Sequence, residues 1–230
     1  EDREKLALLE SEKRADLAAI LSPHELEDYE MRTSATTSRL RATFDFFKAS
    51  EAEFRTIYRI ESAFADKIYP TAGGTLPRDF MDQRTAAQEQ VDAQLKAALG
   101  DERFAEFSRS NDREYQQLAR LTEKENLPAT AAVQAFGLRD GVSQESNRIF
   151  NDPTLSVDQK REALQSLAQS TRTQLLTTLG PTAGETYLKS AGWLANVERG
   201  GAVTFSGGSA RFRSLPPNRP AIPPGANQAR

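Results

Sequence analysis

Apolar residues recur at three- and four-residue spacing along most of the chain, which is the signature of amphipathic helices, and one arrangement of them returns three times. It reads Leu17-x3-Leu21-Ser-Pro-x2-Leu26-x2-Tyr29, then Leu95-x3-Leu99-Gly-Asp-x2-Phe104-x2-Phe107, then Leu175-x3-Leu179-Gly-Pro-x2-Gly184-x2-Tyr187. Spacing inside the copies is identical, and they stand 78 residues (Leu21 to Leu99) and 80 residues (Leu99 to Leu179) apart. Self-similarity at a fixed period marks a supersecondary unit used more than once. The pattern therefore predicts an all-α fold of about ten helices in internally duplicated helical-hairpin units, with a non-helical Pro/Gly-rich C-terminal tail. It divides the chain into a first repeat (1–75), a second (76–154), a partial third that completes the bundle (155–198) and an extended basic tail (199–230).

Local signals place the helices. The first runs over 1–21, and Ser22-Pro23-His24-Glu25 carries a stop and a restart: serine caps, proline suits the first helical position, and Glu25 returns a hydrogen bond to the cap. A short helix to about Arg32 then buries Leu26 and Tyr29, and a third over 34–48 shows Leu40, Phe44 and Phe47 on one face. Ser50-Glu51-Ala52-Glu53 is a second capping box, opening a helix to about Tyr69; Pro70 to Pro77 is a loop. A shift of 78 carries Leu40 to Leu118, Ile57 to Ala135 and Tyr58 to Phe136, so the duplication extends beyond the recurring phrase. Gly137 and Gly141 weaken the last helix of the second copy by about 1 kcal/mol each relative to alanine. Ser156-Val-Asp-Gln159 opens a long helix to Leu179, and Gly180-Pro181 breaks and restarts it. After Arg199, glycine pairs and five prolines between Pro216 and Pro224 predict extended or polyproline-like chain, with strand character only over Ala202–Phe205.

The recurring phrase reads as structure rather than chemistry. Leu21, Leu99 and Leu179 close a helix, the following Ser/Gly step turns the chain, and Tyr29, Phe107 and Tyr187 pin the next short helix to the core.

Charge divides the chain. No acidic residue follows Glu198, whereas Arg199, Arg211, Arg213, Arg219 and Arg230 do, so the tail carries +5 and the rest −8 of the net −3. An acidic body with a basic tail predicts contact between the two, or separate partners, and argues against nucleic acid. The absence of cysteine excludes disulfides, zinc ribbons and thiol nucleophiles. No apolar run reaches the roughly 20 residues a membrane span requires. A chain starting at Glu1 fits a removed signal peptide or membrane anchor, and the expected location is periplasmic or otherwise extracytoplasmic, with the cytoplasm as the alternative.

Candidate chemistry is sparse. His24 is the single histidine and reads as exposed. No phosphate-loop, dinucleotide, nucleophile-elbow or HExxH pattern occurs, so neither cofactor nor metal is expected. Arg32, Arg39, Arg41, Lys48, Arg55 and Arg59 form a basic cluster on the third and fourth helices; a solvated face and a site for an acidic partner are the two readings. Phe46 points away from the face shared by Phe44 and Phe47, which makes it, with Arg55 and Arg59, a candidate contact for a partner. In the tail, Phe205, Arg211, Phe212 and Arg213 combine aromatic and basic side chains suited to lying along the helical body or docking on a partner.

Leu155-Ser156-Val157-Asp158-Gln159, followed by a long polar helix, resembles the LTxxQ motif of the Spy and CpxP group of periplasmic helical stress proteins. That resemblance implies an exported, all-helical protein that binds unfolded polypeptides without ATP or serves envelope-stress signalling. The function expected is thus a non-enzymatic binding or scaffold protein holding a polypeptide partner or client. Alternatives are an enzyme with an unrecognised carboxylate site, or a structural domain of a membrane-anchored protein.

Overall fold

The structure, a computed structural model, describes residues 2–68, 78–206 and 209–216. The loop expected over 70–77 and the tail beyond Pro216 lie outside the described residues. The fold is all-α apart from one small hairpin, and its elements follow the sequence repeat closely. In the first copy α1 (Asp2–Ile20) leads into α2 (Pro23–Thr33), α3 (Ala35–Phe47) and α4 (Glu51–Ala63), with a short continuation α5 (Ala65–Ile68). In the second, α6 (Phe80–Leu99) is followed by α7 (Asp101–Ser110), α8 (Arg113–Lys124) and α9 (Ala129–Asn151). An offset of 78 carries the first residues of α2, α3 and α4 (Pro23, Ala35, Glu51) onto those of α7, α8 and α9 (Asp101, Arg113, Ala129). The third copy contributes α10 (Val157–Ser190), bent at Gly180, α11 (Gly192–Glu198) and then strands β1 (Gly201–Ser206) and β2 (Ser209–Ser214).

Side chains at the helix starts explain these boundaries. Ser22, Ser50 and Ser156 each accept from the backbone N–H three residues on, while Glu25, Glu53 and Gln159 return the bond to the cap. Ser34 and Asp112, 78 residues apart, cap the equivalent helices α3 and α8. At the turn inside the recurring phrase, Gly100 (φ 80°, ψ 166°) and Gly180 (φ 72°, ψ 170°) share one left-handed conformation that glycine adopts without a steric penalty. Ser22 holds the equivalent position in the first copy with an ordinary extended backbone, φ −64°. α9 is continuous despite Gly137 and Gly141, because a small-residue face of Ala131, Ala132 and Ala135 is buried by tertiary packing.

The chain forms two compact units, residues 1–111 and 112–230, a division that falls inside the span 76–154 assigned to the second repeat. Packing is thus out of phase with the recurring phrase by half a repeat. In the first unit α3 packs on α7 and α4 on α6, around Leu40, Phe47, Ile57, Val91, Leu95 and Phe107. In the second unit α8 and α9 pack on α10, around Leu118, Ala135, Leu164, Leu175, Leu179 and Tyr187. Positions 80 residues apart are buried alike: Val91 with Thr171, Leu95 with Leu175, Phe107 with Tyr187. The first copy of the phrase departs from this. α1 rests on α2, Leu8, Leu9 and Ile20 are exposed, and Tyr29 lies half-buried with the Lys13 ammonium 5.4 Å from its ring. It has no four-helix set in which to act as a rivet.

The start of the tail is also more ordered than composition suggests. β1 and β2 form an antiparallel hairpin, not polyproline-like chain, with Val203 opposite Phe212 and Phe205 opposite Ala210. Gly201, Ala202 and Val203 are buried against α9 and α11. Gly201 opens β1 and Pro216 follows β2, so neither interrupts the ladder.

Candidate functional site

In the second unit a buried polar network replaces part of the apolar core. Asp112, the N-cap of α8, and Glu114, in its first turn, face Arg139 of α9, whose Nη1 lies 3.1 Å from the Asp112 Oδ1 and 3.0 Å from the Glu114 Oε2. The other Glu114 oxygen accepts from the Tyr187 hydroxyl and, at 2.7 Å, from the Trp193 indole N–H. The Arg139 guanidinium lies between the rings of Phe136 and Phe205, at 4.4 and 4.0 Å. Burial pushes the Tyr187 phenol well above its ordinary pKa, and the adjacent Glu114 carboxylate adds to the effect. Its hydroxyl therefore stays protonated and donates. Each carboxylate here is paired, which makes the network a specifier of helix register and of the hairpin's seat.

Exposed chemistry gathers in the first unit. A groove of about 460 Å³ runs among α2, α3 and α4, lined by Asp28, Met31, Arg32, Thr37, Arg41, Glu51, Phe54 and Arg55. Phe54 supplies half-buried apolar surface and is held by the Phe44 ring 4.9 Å away, while Met31 is itself buried. Arg55 is neutralised in place: its Nη2 lies 2.7 Å from Asp28 and 2.9 Å from Glu51, and its Nη1 is 3.4 Å from Glu27. Arg59 pairs with Glu27. The hydrogen bond from Arg55 and its charge hold the Asp28 carboxyl below the usual carboxylate range. Arg32 and Arg41 are exposed, and no carboxylate among the described residues lies within ion-pair distance of either.

The sequence-predicted contact residues are thus distributed over both units. Arg55 and Arg59 meet through Glu27, and Arg55 reaches the groove, but Arg59 is not among its lining residues. Phe46 is half-buried and is likewise outside the lining. Phe205 is half-buried against Trp193, edge-to-face at 5.8 Å, and so belongs to the core of the second unit. Arg211, Phe212 and Arg213 are exposed on β2. Phe54 is legible in the sequence only as a helix-face residue, since a groove depends on how three helices splay.

Comparison with protein-family models, with curated proteins and with solved structures finds no match. No helix among the described residues is long and apolar enough to cross a membrane. The Leu155–Gln159 stretch sits at the start of α10, where Ser156 and Gln159 form the capping box.

Proposed function

We propose that this protein is a non-enzymatic helical binding protein that holds a segment of another polypeptide in the groove of its first unit. The observation that carries the reading is the contrast among the groove's arginines. Arg55 is answered by Asp28 and Glu51, whereas Arg32 and Arg41, beside the half-buried Phe54, form no ion pair among the described residues, the charge of Arg32 reaching Asp28 only at longer range. Such a groove suits a segment with an aromatic or aliphatic anchor flanked by acidic residues: the anchor covers Phe54 and the acids reach Arg32 and Arg41. The proposed setting is extracytoplasmic, and its support is the resemblance of Leu155–Gln159 to the LTxxQ motif.

Two measurements test the reading. A fluorescent peptide with one phenylalanine between glutamates is titrated against the protein and against an Arg32→Glu/Arg41→Glu variant. Binding that weakens about tenfold in the variant is expected, from two rim ion pairs at under 1 kcal/mol each plus the new repulsion. Suppression of aggregation of a reduced, denatured client should fall in parallel. Failure of the intact protein both to bind the peptide and to suppress aggregation overturns the reading.

A further inference from the structure

The two edges of the hairpin in the second unit are treated differently. On β1 the outward backbone groups of Val203 are closed: its N–H donates to the Ser146 hydroxyl at 3.2 Å, and its carbonyl accepts from the Asn147 side-chain amide at 2.8 Å. In an antiparallel ladder, directly opposed residues alternate between pairs that bond each other and pairs that turn their backbone groups outward. Val203 is of the second kind, so its partner Phe212, with Ala210 and Ser214, directs N–H and C=O away from β1. All six residues of β2 are exposed. Among the described residues no hydrogen bond closes this edge.

Charge says what would pair with it. Arg211 and Arg213 lie on one face of β2, opposite Thr204 and Ala202, so no acidic residue answers them across the ladder. The Arg213 guanidinium lies 4.3 Å from the Phe150 ring and bonds Asn151, which fixes it without neutralising it. No ion pair joins either arginine to a carboxylate among the described residues. A second copy is a poor occupant: antiparallel pairing of β2 with itself about Phe212 sets Arg211 opposite Arg213, and directly opposed like charges are destabilising. An extended segment with acidic residues two apart places each against an arginine, while the residue between them meets the half-exposed Phe212.

We infer that β2 is a strand-addition site for an acidic, extended segment of a partner protein, separate from the groove of the first unit. Recognition comes from the ladder at Ala210, Phe212 and Ser214, and sign selectivity from Arg211 and Arg213.

The test uses a short labelled peptide alternating glutamate with valine, read by fluorescence anisotropy. Three controls accompany it: a lysine–valine counterpart, a glutamate peptide N-methylated at alternate residues, and an Arg211→Glu/Arg213→Glu variant. Binding of the glutamate peptide alone is expected, about tenfold weaker in the variant and lost on N-methylation. The Arg32→Glu/Arg41→Glu protein should bind it unchanged, which separates this site from the groove. No binding by the intact protein overturns the inference and leaves the arginines as guards against edge pairing. Equal binding of the N-methylated peptide, or dimerisation through β2 in sedimentation, also overturns it.

Discussion

Glu61 and Arg139 occupy the same position of equivalent helices, ten residues beyond the first residue of α4 and of α9, and carry opposite charges into the two cores. Both are buried, at 7% and 4% exposure. Each is answered from the helix preceding its own: Glu61 feels the charge of Arg39 on α3, and Arg139 that of Asp112 and Glu114 on α8. The two copies thus retain one buried ionic slot with its polarity exchanged.

Burial raises the Glu61 carboxyl above its ordinary pKa, and Asp92 reinforces the rise against the opposing charge of Arg39. A carboxyl with a raised folded pKa favours the folded state below its unfolded pKa and loses that advantage as pH climbs towards the folded value. Glu61→Gln should therefore raise the melting temperature at pH 7, with the gain shrinking as pH falls from the raised folded value towards about 4.5. Thermal melts of both proteins at several pH values check this.

In the second unit Glu114 holds three partners at once. Glu114→Ala leaves a buried phenol, an indole N–H and a guanidinium under-satisfied, and the expected loss is about 3 kcal/mol. Trp193 is the only tryptophan, so its emission reports the site directly. A red shift in the folded variant, together with a lower urea midpoint, is the predicted signature.

Gly100 and Gly180 offer a backbone test. A Cβ at either would meet nothing within 4 Å, so substitution by alanine measures the positive φ alone. Each change should destabilise by about 1–2 kcal/mol. Gly184→Ala differs in mechanism, since its Cβ would lie 2.8 Å from a Leu176 methyl and 3.1 Å from the Leu176 Cα. It should destabilise although the backbone there is helical. Denaturant melts of the three variants distinguish the cases.

Acid should cost stability through Glu53. Hydrogen bonds from Arg103 and from the Ser50 backbone bring its carboxyl down to about 2, and these bonds tie the start of α4 to α7. A depressed carboxylate stabilises the fold above its unfolded pKa, and that stability is lost as pH drops from about 4.5 to about 2. The loss is about 2 kcal/mol for this partly exposed pair. In Glu53→Gln the stability should be lower at pH 7 and flatter over that acidic range, as measured by urea denaturation.

Much of the fold was legible because its signals are local. Capping serines with glutamate or glutamine three residues on, and Gly100 and Gly180 at the turns, place the helix ends without tertiary information. The hairpin was only half visible: Ala202–Phe205 showed β character, but Ser209–Ser214 becomes a strand through pairing with β1. The buried network was not read at all. Asp112 and Glu114 look like favourable charges at a helix start, and Arg139 like one more surface cation, until the helices converge. The offset of 78 that aligns Arg139 with the equally buried Glu61 was the available signal, and it needed the helix boundaries to be noticed.

The half-repeat displacement bears on how fragments of this protein should be cut. Excision at 75/76 and 154/155, where the written motif begins again, strips α3 and α4 of α6 and α7, and α8 and α9 of α10. Severing the chain between Asn111 and Asp112 keeps both helical sets whole. Asn111 accepts from Thr43 on one side, and Asp112 caps α8 and meets Arg139 on the other, so each newly made terminus stays moored within its own half.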